Sequence, residues 1–301
     1  MAQVSGQTDV GTVLDMPLTD GQVALLAAEA GAAVVRRMYR TDVAHHLKVG
    51  TDFATDADLD AETAIRAVLA DHRPGDAQLG EEHGASGPES ARRWLVDPLC
   101  GTRNFGAGLP LMSTNVALSE DGDVTAAASA ECVGDETYWT DGTTAWVRRA
   151  GADSTLRPDR SSLMVAFNLE VDAAGRRRAS DVMADPAFFE TYQPRITSST
   201  LALAWVAAGR HAAYVTEGDL RDNVHFAAGV SLCRAAGCVV TDLHGGPVNT
   251  GGSHATSRAS SLRSRSGRSA SADAESARPR SGLIAAADAT THEAMLALMR
   301  E

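Results

Sequence analysis

Lysine and aromatic residues are scarce in this chain. Lys48 is the only lysine among 27 basic residues, and aromatic side chains make up 5% of the 301 residues. Acidic residues outnumber basic ones, and the formal net charge is -12. Proteins that bind nucleic acids use Lys and Arg at the phosphates and aromatic side chains for base stacking. The composition therefore argues against a nucleic-acid partner.

Long apolar runs and paired cysteines are also absent. No stretch approaches 18 uninterrupted apolar residues, and the first residues lack the basic and apolar segments of a secretion signal. The cysteines are Cys100, Cys132, Cys233 and Cys238. They form no CxxC pair and no dense framework, which favours a reducing compartment. We therefore expect a cytoplasmic protein without a membrane partner.

What the chain does contain is a series of helix and strand signals. A capping box that begins at Thr19 predicts a helix with Leu26 among its apolar positions. Thr55 precedes an acidic turn that predicts the start of a second helix. The apolar residues at 94–97 predict a short buried strand, which we expect Pro98 to stop.

The remainder of the chain predicts a meander followed by alternating strands and helices. Asp-Gly turn signals divide β-type runs at 113–119, 124–131, 136–139 and 144–148. We expect a flexible leader at 1–19, an N-terminal α+β half at 20–150 and a C-terminal α/β half at 151–301. Residues 251–281 are rich in Ser, Arg and Gly and poor in apolar residues, so we expect a disordered basic insertion there.

Acidic residues cluster where the predicted strands and helices meet. Asp58 lies at a helix start, Glu81 follows Gly80, and Asp97 ends a strand. Each cluster alone is adequately explained by the helix dipole or by solvation. Divalent ions, however, need several oxygen ligands that converge from separate elements. The three clusters together are therefore candidates for a metal site.

The segment after Asp97 offers a place for a phosphate group. Gly101 and Thr102 begin a predicted helical turn, where free N–H groups favour an anion. The Thr102 hydroxyl could orient an attacking water with Glu81 as the base, although it could also serve only as a helix cap.

Two simpler kinds of site do not fit the spacing. The acidic run that begins at Asp56 resembles a calcium loop, but Ala61 and Ala67 occupy the positions that require Gly and Glu. A thiol phosphatase would need an arginine six residues after Cys100, where the chain has Gly106.

Several motifs follow one another along the chain. They are Lys48-x3-Asp52-x2-Thr55-x2-Asp58, Gly80-Glu81-Glu82, Trp94-Leu95-Val96-Asp97-Pro98-Leu99-x-Gly101-Thr102-x-Asn104-Phe105 and Ala227-Ala228-Gly229. Taken together, they resemble the inositol-monophosphatase-like family of metal-dependent, lithium-sensitive-type phosphatases. Their type, order and spacing all match, and colinearity is more specific than any one motif. The resemblance runs from about residue 23 to residue 300 and identifies a divergent member of the family.

The resemblance implies a layered αβαβα sandwich, Mg²⁺ held by carboxylates, and direct attack of water on a phosphate ester. Glu81 would bind metal and help to activate water, and Asp97 would bridge metal ions. Leu99 would contribute its backbone carbonyl, and Asp58 would serve a more peripheral metal position. Gly101 and Thr102 would receive the phosphate, with Thr102 orienting the nucleophile. The substrate-side loop would contain Ser198, Ser199 and Thr200, and a homodimer would be expected.

Two residues depart from the family pattern. Cys100 and His225 occupy positions where the family has aspartates that bind metal. Sulfur and imidazole should weaken binding of hard Mg²⁺. Cys100 and His225 could instead bind Mn²⁺ or Zn²⁺ together with Asp222. Alternatively, Glu81, Asp97 and Asp58 could form a reduced site that supports slow hydrolysis.

Either departure also has an ordinary explanation. Cys100 could be a small buried thiol, and His225 a hydrogen-bonded residue at a helix start. The sequence thus predicts a phosphate monoester hydrolase whose substrate is a small polyol, sugar or nucleotide phosphate. Two alternatives are a catalytically impaired relative that binds a phosphorylated ligand, and an interaction protein that uses the basic Ser/Arg loop.

Overall fold

A computed structural model of the protein describes seven parts of the chain. They are residues 17–48, 52–169, 179–217, 220, 224–248, 250 and 282–300. Most of the expected leader, the whole insertion expected at 251–281, and Asp222 lie outside the described residues. The expected division between residues 150 and 151 stays a prediction. Within the described residues, no helix combines the length and apolar character needed to cross a membrane.

Eight helices are described. They are α1 (Asp20–Met38), α2 (Asp56–His72), α3 (Thr102–Gly106), α4 (Ala179–Ala184), α5 (Pro186–Phe189), α6 (Leu201–Ala207), α7 (Ala227–Ala236) and α8 (Ala289–Arg300). The capping box predicted at the start of α1 is confirmed, because the Thr19 hydroxyl and the Gln22 side chain each bond the other residue's backbone N–H. Leu26 was wrongly placed on the apolar face, since its side chain is 37% exposed.

Fifteen strands are described, and the first two pair as a small hairpin. The first eight strands are β1 (His45–Leu47), β2 (Phe53–Thr55), β3 (Ala77–Gly80), β4 (Gly84–Ser86), β5 (Arg92–Cys100), β6 (Ser113–Glu120), β7 (Asp123–Glu131) and β8 (Glu136–Thr140). The others are β9 (Ala145–Arg149), β10 (Ala152–Thr155), β11 (Met164–Asn168), β12 (Gln193–Ile196), β13 (Ala213–Glu217), β14 (Val239–Thr241) and β15 (Gly282–Ala286).

The strands form two large sheets. The first has eight strands in the order β10-β9-β8-β7-β6-β5-β3-β4, and the second has five in the order β12-β11-β13-β15-β14. Pairing from β5 through β10 is antiparallel, which confirms the predicted meander. Strands β3 and β5 are parallel, so their C-terminal ends lie at the same edge of the sheet.

Helices and sheets alternate in five layers. Helices α1 and α2 cover one face of the first sheet, where Trp94 and Val116 are buried. Helices α6 and α7 lie between the sheets and contact Tyr138 from the first and Tyr214 from the second. Helices α4, α5 and α8 cover the far face of the second sheet around Phe167. The predicted αβαβα sandwich is therefore confirmed.

The strand that carries Asp97 was predicted to stop at Pro98, and this was wrong. Strand β5 continues to Cys100, and its register against β6 shifts between Asp97 and Cys100. Such an irregularity leaves backbone groups out of the ladder and so accommodates a proline, which has no N–H to donate. The consequence is that Asp97, Leu99 and Cys100 are all held by the buried sheet.

Candidate metal and phosphate site

Three elements bring Glu81, Asp97 and His225 together. Gly80 pairs with Val96 across the parallel strands β3 and β5, so the residues that follow, Glu81 and Asp97, are neighbours at one sheet edge. His225 lies just before α7. One possible ligand atom from each of the three side chains lies within 4.8 Å of the other two. The arrangement therefore places two carboxylates and an imidazole around one point.

Asp97 is the centre of this group. Its side chain is 0% exposed, and its Oδ2 atom lies 2.8 Å from His225 Nδ1 and 3.4 Å from the amide nitrogen of Asn115. Its other oxygen, Oδ1, is buried and accepts no hydrogen bond within the described part of the chain. A buried carboxylate oxygen without a donor is costly unless a cation compensates for it. This atom is thus available to a metal ion.

The charges of the three residues are strongly interdependent. Burial, and then the charge of Asp97, raises the pKa of Glu81 to about 7. Burial lowers the pKa of His225, but the charge and hydrogen bond of Asp97, followed by the charge of Glu81, outweigh it and raise that pKa to about 9. A raised carboxyl pKa near neutrality suits a group that accepts a proton during catalysis.

Lys48 contacts the site from the hairpin of β1 and β2. Its Nζ atom lies 3.0 Å from Glu81 Oε1 and 2.7 Å from Glu82 Oε1. Burial lowers the pKa of Lys48, but the hydrogen bonds and charges of the two glutamates raise it well above its usual value. The only lysine of the chain therefore binds both glutamates of the acidic turn at residues 81 and 82. Composition alone gave no sign of this role.

A second group of predicted residues lies at the start of α3. The Thr102 hydroxyl lies 2.9 Å from Asp58 Oδ1 and 3.1 Å from the Leu99 carbonyl. Thr55 donates both its N–H and its hydroxyl to the other oxygen of Asp58. Burial raises the pKa of Asp58 to about 6, although these hydrogen bonds oppose the rise. The structure thus joins Asp58, Leu99 and Thr102 in one hydrogen-bonded group.

Gly101 precedes α3 in a conformation that favours glycine. Its φ is 112°, in the left-handed region, and an added Cβ would lie 3.0 Å from the Leu111 carbonyl. The backbone can therefore turn sharply from β5 into α3 at this position. Whether the Gly101 and Thr102 amides receive a phosphate stays a prediction.

Cys100 contacts the segment predicted to face the substrate. Its thiol lies 3.0 Å from Thr200 Oγ1 and accepts the Thr200 N–H at 3.2 Å, while the Ser199 hydroxyl donates to the Cys100 carbonyl. Burial, and then the charge of Asp97, raises the pKa of this thiol well above its usual value. Cys100 is not a member of the Glu81, Asp97 and His225 group. Its predicted metal binding is untested, and the contacts are those of a buried structural thiol.

The other substrate-side residues lie close to the same loop. The Ser198 hydroxyl donates to Asn104 Oδ1 at 3.2 Å, and the Asn104 amide donates to the Leu111 carbonyl. This network links the segment before α6 to α3. The roles predicted for Ser198, Ser199 and Thr200 in substrate binding stay predictions.

Sequence reasoning missed two polar residues around the site. Asn115 on β6 donates to both Asp97 Oδ2 and Thr200 Oγ1, so it links the candidate metal ligand Asp97 to the segment predicted to face the substrate. Glu62 on α2 is 0% exposed and accepts hydrogen bonds from the backbone just after Glu81. The position of Asn115 opposite Asp97 in the antiparallel pair could have indicated its role, but no local signal distinguishes Glu62 from a solvated helix acid.

The residues present fit a divalent ion. Glu81 and Asp97 offer carboxylate oxygens, one of them buried and unbonded, and His225 offers a ring nitrogen. Mg²⁺ favours oxygen ligands, whereas Mn²⁺ and Zn²⁺ also accept imidazole. The donor set is therefore compatible with a divalent metal and suits Mn²⁺ or Zn²⁺ better than a site made only of carboxylates would.

Comparison with known proteins gives a consistent result. The model of a family described as the inositol monophosphatase family matches residues 17–288. An inositol-1-monophosphatase of Mesorhizobium japonicum is 35% identical over 213 residues, which span 66% of this chain and 76% of that protein. A histidinol-phosphatase of Mycobacterium tuberculosis is 48% identical over 68 residues, or 23% of this chain and 26% of the relative.

Solved structures show the same architecture. The extragenic suppressor protein SuhB from Bartonella henselae superposes with a TM-score of 0.74, and the match covers 93% of this chain and 98% of that one. Sequence identity in that pair is 23%, so this likeness concerns the fold alone.

Proposed function

The chain belongs to the inositol monophosphatase family, whose members are Mg²⁺-dependent phosphoric monoester hydrolases, and we propose on this premise that it hydrolyses a small phosphate monoester. The substrate class proposed is a polyol, sugar or nucleotide phosphate, and the reaction is direct attack of water on phosphorus. The cytoplasmic location and the homodimer expected from the sequence are part of this proposal.

One observation carries the proposal. Glu81, Asp97 and His225 converge from three separate elements, and Asp97 Oδ1 is buried without a hydrogen-bond donor among the described residues. A purely structural group of carboxylates would be expected to satisfy that oxygen with a protein donor. The group is therefore better explained as a place for a cation and, beside it, an anionic substrate.

The protein's own residues can direct the proton transfers. Thr102 can donate its hydroxyl proton to Asp58 or to the Leu99 carbonyl, which leaves its oxygen lone pairs free to accept a hydrogen bond from a water molecule. Glu81, whose pKa is raised to about 7, is suited to take the proton from that water. Lys48 restrains Oε1 of Glu81, so the orientation of the base is fixed.

Glu81, Asp97 and His225 would hold the divalent ion, with the Leu99 carbonyl as a further oxygen ligand. A bound ion there would neutralise phosphate charge and lower the pKa of water. Asn115, by donating to Asp97 Oδ2, would keep the other oxygen of that carboxylate directed at the ion.

The two departures from the family pattern suggest a change of metal preference. With His225 in place of a carboxylate, we propose that Mn²⁺ or Zn²⁺ supports turnover better than Mg²⁺. The Cys100 thiol, held by Thr200 and kept protonated by burial, is proposed to pack beside the site without binding the ion.

The test is a hydrolysis assay of the purified protein with Mg²⁺, Mn²⁺ and Zn²⁺ in turn. The substrate panel includes inositol 1-phosphate and histidinol phosphate, because relatives carry those names, together with sugar and nucleotide monophosphates. Glu81→Gln is the matched variant, since it keeps the side chain's size and removes the carboxylate. We expect phosphate release by the wild type and a loss of roughly 100-fold or more in Glu81→Gln.

Two results would contradict the proposal. The first is no turnover with any metal, which together with phosphate-ester binding would indicate a catalytically silent relative. The second is equal turnover by the wild type and Glu81→Gln. Light scattering on the same preparation tests for the homodimer.

A further inference from the structure

Glu62, which no motif includes, is buried directly beneath the turn that carries Glu81. Its carboxylate accepts the Glu82 N–H at 2.7 Å through Oε2 and the His83 N–H at 3.1 Å through Oε1. The side chain is 0% exposed. Two backbone amides on the C-terminal side of Glu81 are thus fixed to a single buried anion on α2.

The residue before Glu81 is fitted to the same carboxylate. A Cβ built at Gly80 would lie 1.9 Å from Glu62 Oε1, and the three nearest heavy atoms all belong to Glu62. Gly80 has no left-handed φ, so the close approach of Glu62, and no backbone requirement, explains the glycine. Residues on both sides of Glu81 therefore lie against the Glu62 carboxylate.

Burying a carboxylate is expensive unless its partners compensate for the lost water. Arg66, one helical turn away on α2, donates its Nε proton to Glu62 Oε1 at 2.7 Å and also bonds the Gly84 carbonyl. The ion pair thus joins α2 to the turn between β3 and β4 and to the start of β4. Hydrogen bonds from backbone amides to an ionised acceptor are about twice as strong as neutral ones, so the charge of Glu62 contributes to holding the turn.

We propose that Glu62 is a positioning residue that sets Glu81 for metal binding and for proton transfer. It acts through the backbone at residues 80 to 83, while Lys48 restrains the Glu81 and Glu82 side chains from the other side. This role rests on the proposed function, because it concerns the same metal site. Removing groups that orient metal ligands typically lowers metal affinity roughly 10–100-fold.

The experiment measures Mn²⁺ affinity by the EPR signal of the free ion, without substrate. We expect Glu62→Ala to bind Mn²⁺ at least about tenfold more weakly than the wild type, and Glu62→Gln, which keeps one acceptor oxygen, to lie between them. Glu136→Ala is the matched control. Glu136 on β8 is a mostly buried carboxylate that pairs with Arg149 and Arg210. The Glu136→Ala substitution should lower the stability of the fold without changing its affinity for Mn²⁺.

A double-mutant cycle separates positioning from general destabilisation. With Glu62 intact, Gly80→Ala should weaken Mn²⁺ binding, because the new methyl group collides with Glu62 Oε1. In the Glu62→Ala background the collision is absent, so Gly80→Ala should have little further effect. If Glu62→Ala does not fold, Glu62→Gln and Gly80→Ala still provide the comparison with the wild type.

The outcomes distinguish this role from the proposed function. If Glu62→Ala, Glu62→Gln and Gly80→Ala all bind Mn²⁺ as tightly as the wild type while Glu81→Gln does not, the positioning role is wrong and the metal site stands. Additive effects of Gly80→Ala and Glu62→Ala would also overturn it. If the wild type itself binds no Mn²⁺, the proposed function fails, and the role of Glu62 fails with it.

Discussion

His211 gives the fold a measurable dependence on pH. It lies between α6 and β13, is 6% exposed, and packs edge-on against Trp205 at a ring distance of 5.4 Å. Its Nδ1 atom accepts or donates no hydrogen bond within the described residues. Burial, and then the charge of Arg195 and further that of Arg210, lowers its pKa from 6.5 to about 4, although a hydrogen bond with Ala202 opposes the change. At neutral pH the folded protein therefore contains the neutral form of the His211 ring.

The sign of the effect follows from the two pKa values. Between pH 6.5 and 4 the unfolded chain binds a proton at His211 and the folded chain does not, so the free energy of unfolding falls as the pH falls. The stability contributed by the neutral ring is complete above about pH 6.5. A pKa of about 4 in place of 6.5 corresponds to a loss of about 3 kcal/mol below both values, and of about 2 kcal/mol at pH 5.

The assay is urea unfolding at pH 8 and pH 5 for the wild type and for His211→Phe, which keeps an aromatic ring and cannot titrate. Other groups titrate in this range in both proteins, so their contributions cancel in the comparison. We expect the wild type to lose about 2 kcal/mol more than His211→Phe between the two pH values. Identical pH profiles would refute the assignment of a buried, neutral imidazole.

Two further predictions concern the candidate site. Cys100→Asp combined with His225→Asp should raise Mg²⁺-dependent kcat/KM by roughly tenfold or more, because one carboxylate replaces the imidazole ligand and the other adds an oxygen ligand where the thiol does not bind the ion. A folded double mutant that gains nothing in the phosphatase assay would contradict that explanation. Thr102→Val should lower kcat roughly 100-fold, since it removes the hydroxyl bonded to Asp58 and Leu99, whereas Thr102→Ser should retain activity. Unchanged kcat in the valine variant would show that this hydroxyl orients no water.

Features set by local chemistry were predictable from the sequence. The capping box at Thr19 uses residues three positions apart, and the start of α2 after Thr55 follows from the same local rules. The meander was predictable because turn residues and alternating apolar residues recur within short segments. These elements need no knowledge of distant parts of the chain.

Features that depend on distant contacts were not predictable in the same way. Pro98 continues β5 because the register shift against β6 removes the need for its N–H, and a single strand carries no sign of that shift. Leu26 follows the helical period but is exposed, because α1 packs through the neighbouring face that contains Leu25 and Ala28. Glu62 has the sequence context of a solvated acid on a helix, and its contacts with the turn after Gly80 involve residues about twenty positions away.

The candidate site was predicted largely through the family resemblance. Residue identity and order placed Glu81, Asp97 and His225 in one site, and the structure brings these three together. The direction of the Cys100 side chain could not be deduced, because it depends on Thr200, one hundred residues further along the chain. Asn115 donates hydrogen bonds to Asp97 and Thr200, and its role can be recognised only when the pairing of the strands is known.

The position of Lys48 has a practical consequence. Since it is the only lysine in the sequence, it is the sole side-chain amine available to acylating reagents. Its ammonium group is partly exposed yet bound by Glu81 and Glu82, which keep it protonated and slow its acylation. The rate of acylation at this one amine would therefore report how firmly the acidic turn is held, and a label attached there would lie beside the site.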